Sequence, residues 1–220
     1  MPHRDGERMK ILYEGGSAEI TEKKSRFIAT VRPVHSEEEA AVFLAEMRKK
    51  YWDARHNCSA FVVGDRMQLQ RCSDDGEPQG TAGKPMLAVL LGEDVHDVCV
   101  IVTRYFGGVL LGTGGLVRAY SKAAQEGLKA SRIIDRIEGS VLRIGTDYNG
   151  VGKIQYLLGK RELIITDSVY ADSVELETMV PAGELKALKD EITEKTGAKA
   201  QFLLEKPASY AIIDGKAVLL

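Results

Sequence analysis

The sequence predicts an α+β protein of two domains, and three observations predict it. Short glycine-rich loops separate apolar segments before residue 135, two similar β–α–β units follow that point, and the use of glycine changes between the two halves. A shift of this kind indicates a domain boundary. We place the two domains at residues 1–136 and 137–220.

The front half carries alternating strand and helix signals. Ser36 and Glu39 form a capping box, and apolar residues at helical spacing follow it. Pro85 and Gly92 bracket a short apolar helix. A continuous apolar run at residues 98–102 predicts a strand that is covered on both faces. The other predicted elements are strands at residues 17–22, 26–32 and 57–63 and a long helix that begins at Thr113 or Gly114.

The back half has the element order of a known fold. Asn149 can cap a helix, and Gly159 and Gly197 stand where helices are expected to end. The predicted strands span residues 140–146, 163–170, 173–180 and 199–204, and the helices span residues 150–158 and 183–196. The order βαββαβ is typical of a ferredoxin-like domain.

Composition excludes several classes of protein. Of 220 residues, 44% are hydrophobic and 28% are charged, which is the profile of a folded globular chain. The longest apolar runs, residues 86–91 and 98–102, are far shorter than the roughly 20 residues of a membrane span, and residues 1–16 show no secretory signal. The cysteines are odd in number and form no CxxC motif, so a cytoplasmic location is expected. They are Cys58, Cys72 and Cys99.

Charge is distributed unevenly although the net value is only −2. The chain up to Ile134 has 19 basic and 18 acidic residues, whereas the remainder has 11 and 14. On the last helix of the front half, Arg118, Lys122 and Lys129 share one face. An anion-binding surface is therefore expected in the front domain, although such a stripe is often only a solvated face.

The most unusual segment is the glycine-rich stretch after the apolar strand. Five glycines stand between residues 107 and 115, where a strand leads into a helix. Glycine lets the backbone approach another group closely, and the N–H groups of a helix start attract anions. We expect Arg104, Thr113, Gly114, Gly115 and Arg118 to form an anion site. The segment fits neither a dinucleotide fingerprint nor a Walker loop.

Two further segments carry candidate chemistry. In residues 73–85 the acidic side chains offer ligands for a hard cation or a base at Glu77, but their spacing matches no known metal loop, so no metal site is predicted. Lys84, at a helix start, is assigned to the anion site. Near the start of a strand, Arg55 and His56 are expected to make polar contacts, and His56 with Cys58 offers the alternative of a thiol nucleophile and its base.

Four motifs together resemble one family. They are KKSRFIA (23–29), ARHNCSAF (54–61), SDDGEPQGTAGKP (73–85) and TRYFGGVLLGTGGLVRAYS (103–121). In this order they are similar to the YigZ/IMPACT family. The resemblance implies a front domain like the second domain of ribosomal protein five, with a four-stranded sheet and helices on one face, and a back domain like domain five of elongation factor G. Eukaryotic relatives regulate translation under amino-acid stress; no catalytic residue or cofactor carries over.

These observations predict a cytoplasmic, translation-associated, non-enzymatic protein. Its expected partner is RNA or the ribosome, with a translation-related protein as a further partner and no membrane. The predicted contact residues are Arg55, His56, Lys84, Arg104, Thr113, Gly114, Gly115, Arg118 and Lys122. Two alternatives remain open: a peptidase-like hydrolase that uses Cys58 and His56, and a binder of small phosphates or nucleotides.

Overall fold

A computed structural model describes residues 8–220. It divides the chain into two compact units, a front unit of Met9–Ile134 and a back unit of Asp135–Leu220 with Arg8. The described residues form five helices and two sheets of antiparallel strands, which confirms the α+β class. No helix within this part of the chain is long and apolar enough to cross a bilayer. The expected lack of a secretory signal falls partly on residues 1–7, outside the described residues.

The elements of the front unit are β1 (Arg8–Glu14), β2 (Ser17–Glu22), β3 (Ser25–Pro33), α1 (Glu37–Lys50), β4 (His56–Val63), β5 (Leu69–Ser73), α2 (Gly83–Gly92), β6 (Val98–Tyr105) and α3 (Thr113–Lys129). Five of the strands form a sheet of order β2-β3-β6-β4-β5, in which every neighbouring pair is antiparallel.

Strand β6 lies at the centre of the front unit and is covered on both faces. Val98, Val100 and Val102 pack with the helices α2 and α3, whereas Cys99 and Ile101 pack with α1. The apolar run therefore predicted the burial of this strand correctly. The resemblance implied four strands with helices on one face, and this expectation is wrong: β5 adds a fifth strand, and α1 covers the opposite face.

Local signals explain where the helices begin. The Ser36 hydroxyl accepts a hydrogen bond from the N–H of Glu39 at 3.2 Å, as the capping box predicted, and the Glu39 carboxylate accepts one from the N–H of His35 at 2.8 Å. Helix α3 begins at Thr113, as predicted. Helix α2 begins at Gly83, earlier than Pro85 indicated, because a carboxylate distant in sequence caps it.

The back unit confirms the ferredoxin-like prediction. Its elements are β7 (Arg132–Thr146), α4 (Val151–Lys160), β8 (Ile165–Tyr170), β9 (Val174–Pro181), α5 (Ala182–Thr196), β10 (Gln201–Ile213) and β11 (Lys216–Leu219). The strands are ordered β10-β7-β9-β8, and β11 extends the sheet as a hairpin through Asp214 and Gly215, both at positive φ. An Asp-Gly turn is typical of two-residue hairpins.

A substitution at Gly127 tests how closely α3 packs on the front sheet. A Cβ atom at this position would lie 2.9 Å from Ala29 Cβ and from Val31 Cγ2, whereas one at Gly92, at the end of α2, would meet nothing within 4 Å. We expect Gly127→Ala to lower the free energy of unfolding by about 1–3 kcal/mol through overpacking. Gly92→Ala is the matched control and should leave stability unchanged or raise it slightly. Urea denaturation measures both, and equal effects would contradict the proposed packing.

Candidate nucleic-acid interface

The four sequence motifs of the front unit meet at one end of its sheet. Arg26 pairs with Tyr105 and His56 pairs with Arg104, so β3 and β4 begin where β6 ends. The loops before β3 and β4 and after β5 and β6 therefore lie together. We call this region the motif end; it comprises residues 23–25, 52–55, 74–82 and 106–112.

Asp74 occupies the start of helix α2. Its carboxylate accepts hydrogen bonds from the N–H groups of Gly80 at 2.7 Å, Ala82 at 3.0 Å and Gly83 at 2.8 Å. Burial alone would raise the pKa of this carboxyl, but these three hydrogen bonds and the charge of Lys84 outweigh burial and hold the pKa below its ordinary value. The amides that Lys84 was expected to share with an external anion are thus already taken, which corrects that prediction; Lys84 itself is exposed.

Asp75 fixes the start of strand β4. Its carboxylate accepts hydrogen bonds from the N–H of Asn57 and from the guanidinium of Arg48, both at 2.6 Å. Its carbonyl oxygen lies 2.9 Å from Nδ1 of His56. Because a carbonyl only accepts, Nδ1 of His56 carries the proton and the ring is held in one orientation. His56 is half-buried, and its Nδ1 binds the loop that contains Asp75 and is not offered to an external ligand.

Glu77 and Arg104 form a buried ion pair beneath the glycine-rich loop. The Glu77 carboxylate accepts hydrogen bonds from Arg104 at 2.7 Å and from the hydroxyl of Tyr120 at 2.8 Å, and both charged side chains are less than a tenth exposed. The guanidinium also lies 5.4 Å from the ring of Phe27 and 5.7 Å from that of Phe106. The structure therefore corrects the prediction that Arg104 contacts an external phosphate: its charge is neutralised inside the protein.

Cys58 is a buried member of the same cluster. Its thiol donates to the carbonyl of Asp74 at 3.0 Å and lies 3.4 Å from the hydroxyl of Tyr120. Burial raises the pKa of this thiol to about 12. A nucleophilic cysteine needs a lowered pKa and an accessible sulfur. These properties argue against the hydrolase alternative, since His56 is bonded to Asp75 instead.

The carboxylates of the acidic loop, residues 74–82, do not point together at a cation site. Each of its carboxylates receives donors from the protein: backbone amides at Asp74, Asn57 and Arg48 at Asp75, and Arg104 with Tyr120 at Glu77. Within residues 8–220, no group of three His, Cys, Asp or Glu side chains is arranged to hold a metal ion. The carboxylates of this loop therefore hold neighbouring segments of the domain together.

The glycine-rich loop is held at its base and exposed at its tip. The N–H of Gly107 donates to the Ser25 hydroxyl at 3.1 Å, and a Cβ atom at Gly107 would overlap the backbone of Lys24. Only glycine permits this close approach. Beyond it, Val109 is 42% exposed and Leu110 is 83% exposed. The loop thus presents apolar side chains at the surface beside the lysines of the β2–β3 turn.

Helix α3 starts without the internal cap that α2 has. Gly112 precedes it at a φ of 73°, no side chain caps it within the described residues, and its first turn contains no acidic residue. Leu116 is the residue whose N–H bonds back to the carbonyl of Gly112, so the amides of Thr113, Gly114 and Gly115 precede the helical ladder. Their partial positive charge faces outward.

Two exposed cations accompany this helix start. The guanidinium of Arg118 lies 3.6 Å from the position that a Cβ atom of Gly114 would take, so the side chain points back toward the first turn. Lys122 follows one turn later and is exposed. In the part of the chain that the structure describes, neither side chain makes an ion pair. The structure thus brings Thr113, Gly114, Gly115, Arg118 and Lys122 together.

Several surface residues escaped the sequence analysis. Lys23 and Lys24 form a tight turn at positive φ beside the glycine-rich loop. Trp52 is 81% exposed and Phe106 is 54% exposed. The two lysines stood in the motif at residues 23–29 without an assigned role, and an isolated aromatic residue carries no sequence signal for exposure. Arg55 is exposed at the motif end, and its role as a contact residue stays a prediction.

Comparison with known proteins places this architecture in a defined class. The profile of the Impact N-terminal domain matches residues 23–128, and the profile of a domain of unknown function, DUF1949, matches residues 144–199. A crystal structure described only as that of a hypothetical protein shares 35% identity with a TM-score of 0.58, covering 90% of this chain and 97% of that one. The fold and motifs thus define a two-domain protein of the Impact type.

The curated relatives identify the family. The chain is 42% identical to IMPACT family member YvyE of Bacillus subtilis over 86% of its own length and 87% of that protein. It is 37% identical to IMPACT family member YigZ of Escherichia coli, with 82% and 90% covered. The chain belongs to the IMPACT family.

The buried ion pair is expected to be essential for stability. Glu77→Ala leaves the charge of Arg104 buried without its partner, and we expect the free energy of unfolding to fall by about 3–5 kcal/mol. The matched control is Glu46→Ala, which removes an exposed ion pair with Arg32 and should change stability little. Thermal or urea unfolding reports both. Similar losses for the two variants would show that the Glu77–Arg104 pair does not organise the domain.

Thiol labelling tests the burial of the cysteines. Cys72 is exposed, whereas Cys58 and Cys99 are buried and have pKa values raised to about 12. At pH 7.5 a thiol with that pKa is ionised in about one molecule in 3 × 10⁴, so a disulfide reagent should label Cys72 alone in the native protein. Cys72→Ser should remove all fast labelling, and unfolding of this variant should make Cys58 and Cys99 react with the reagent. Rapid labelling of Cys58 in the native state would revive the hydrolase hypothesis.

Proposed function

We propose that this protein is a cytoplasmic, translation-associated regulator that binds RNA, free or within the ribosome, through the front unit. The proposed contact surface is the start of α3 with Arg118 and Lys122, together with Lys23, Lys24 and Arg55. Arg104 is left out of this surface because its guanidinium is paired with Glu77 in the interior. The single observation that carries the proposal is the outward-facing, uncapped start of α3 beside two cations without ion pairs.

The contrast between the two helix starts supports an external anion. Asp74 neutralises the start of α2 from inside the domain, with three hydrogen bonds. At α3 the corresponding amides meet a loop of glycines, and Arg118 adds further positive charge where the helix dipole already disfavours a cation. An anion bound there would accept hydrogen bonds from the amides and would offset the charge of Arg118. Phosphate groups suit such a position because amide N–H groups and guanidinium groups both donate to their oxygens.

RNA is favoured over a single small phosphate by the extent of the surface. The exposed cations lie on the β2–β3 turn, before β4 and along two turns of α3, which is a spread that one phosphate does not span. A chain of phosphates contacts such a surface at several points. The association with translation comes from the family resemblance, in which eukaryotic members regulate translation.

Charge reversal on α3 tests the proposal. We expect Arg118→Glu with Lys122→Glu to weaken co-sedimentation with ribosomes and binding of RNA strongly, and to reduce the slope of log K against log salt concentration by about 0.7 to 0.9 for each lost phosphate contact. The control is Lys186→Glu with Lys199→Glu, which makes the same change in net charge on exposed residues of the back unit.

The outcomes separate the candidate functions. Binding that is lost in the α3 variant and retained in the control supports the proposed surface. Binding that is unaltered in the α3 variant contradicts it. Thermal stabilisation by a nucleotide but not by RNA favours the small-phosphate alternative.

A further inference from the structure

Trp52 is the sole tryptophan of the chain and is 81% exposed. It lies in the turn between α1 and β4. A large aromatic side chain is seldom left this open, because its burial contributes much apolar area to a core or an interface. The core beneath α1 is complete without it, since Phe43 and Met47 fill that role. Trp52 is therefore available for an external contact.

The turn that carries Trp52 is anchored to the motif end. The carboxylate of Asp53 accepts a hydrogen bond from the hydroxyl of Tyr105 at 2.7 Å, which ties the turn to the last residue of β6. The guanidinium of Arg26 lies 5.5 Å from the centre of the Tyr105 ring, so a cation already packs on one face of this ring. Phe106 follows directly and is half exposed. Tyr105 and Phe106 thus stand at the end of β6, next to the turn that carries Trp52, and we call these three side chains the aromatic rim.

The segment around Trp52 carries an excess of positive charge. Lys49, Lys50 and Arg55 flank Trp52 in sequence, and all three are exposed. Within residues 8–220 none of them makes an ion pair, and the ammonium group of Lys50 lies 5.0 Å from the centre of the Tyr51 ring. The turn holds one acid, Asp53, which accepts a hydrogen bond from Tyr105 and keeps its negative charge, so three cations stand against one acid in residues 49–55. The field around Trp52 is therefore one that attracts an anionic chain.

We infer that the aromatic rim binds unpaired RNA bases by stacking, with Trp52 as the principal platform. This inference rests on the proposed function, to which it adds the class of RNA. A single-stranded ligand offers an aromatic base and a phosphate in each nucleotide, which matches a surface of aromatic rings interleaved with cations. A duplex keeps its base faces stacked inside and does not offer them to a side chain. Single-stranded segments or loops are thus the favoured ligand, rather than a helical stem.

The surroundings of Trp52 differ from the core of a protein-docking patch in composition. Interfaces between proteins have a core depleted of charge, in which aromatic residues pack among other apolar groups. Around Trp52 the sequence reads Lys49-Lys50-Tyr51-Trp52-Asp53, so the tryptophan stands among charged groups. A base stacked on an indole ring keeps its polar edges and phosphate within reach of those groups.

Because Trp52 is the sole tryptophan, the intrinsic fluorescence of the protein reports on binding at this residue. Titration of the full chain with an oligoadenylate of about twelve nucleotides should quench the intrinsic fluorescence, because a base stacks on the indole ring. The same strand annealed to its complement should bind more weakly and quench less. Trp52→Leu should weaken binding of the labelled single strand about tenfold in fluorescence anisotropy, and Trp52→Phe should retain part of it. Tyr156→Leu, at a 70% exposed aromatic residue of the back unit, is the control and should change nothing.

The results distinguish this inference from the proposed function. If single-stranded RNA binds with the expected salt dependence but Trp52→Leu binds equally well, the stacking platform is wrong and the proposed function stands. The inference is also overturned if the duplex binds or quenches as strongly as the single strand. If no RNA binds at all, even at low salt, the proposed function fails, and the inference fails with it.

Discussion

The carboxylate of Glu77 receives the guanidinium of Arg104 and the hydroxyl of Tyr120 in the interior of the front unit. These three side chains come from the acidic loop, the end of β6 and the middle of α3. A buried charge requires a partner, since leaving one member alone in the interior costs several kcal/mol. The pair therefore holds the acidic loop against β6 and α3, and the arrangement of the motif end depends on it.

From this pair the rest of the motif end follows. With the acidic loop in place, Asp74 reaches the start of α2 and Asp75 reaches the start of β4. Because the acidic residues are used internally, the positive charge of Arg118 and Lys122 is left facing outward. The buried pair thus removes Arg104 from the surface, and Arg118 and Lys122 remain as the exposed cations at the start of α3 on which the proposal of an anionic partner depends.

Much of the fold was predictable because it depends on local pattern. The capping box at Ser36, the start of α3 and the βαββαβ order arise from neighbours in sequence. Strand β5 was missed because its residues are mostly polar, and its pairing with β4 is a contact between distant segments. In the candidate site, the uncapped glycine-rich start of α3 was predictable, whereas the roles of Arg104 and Lys84 were not, because an arginine does not reveal in sequence which carboxylate it meets.

Local signals account for the α+β class with two domains, the buried central strand and the glycine-rich approach to α3, since periodicity, turn residues and helix starts act over a few residues. Which charges neutralise each other and which face solvent depends on segments that meet only in the folded protein. Burial and long-range pairing set that division: they bury Arg104 against Glu77, assign Asp74 to α2, and leave Trp52 at the surface.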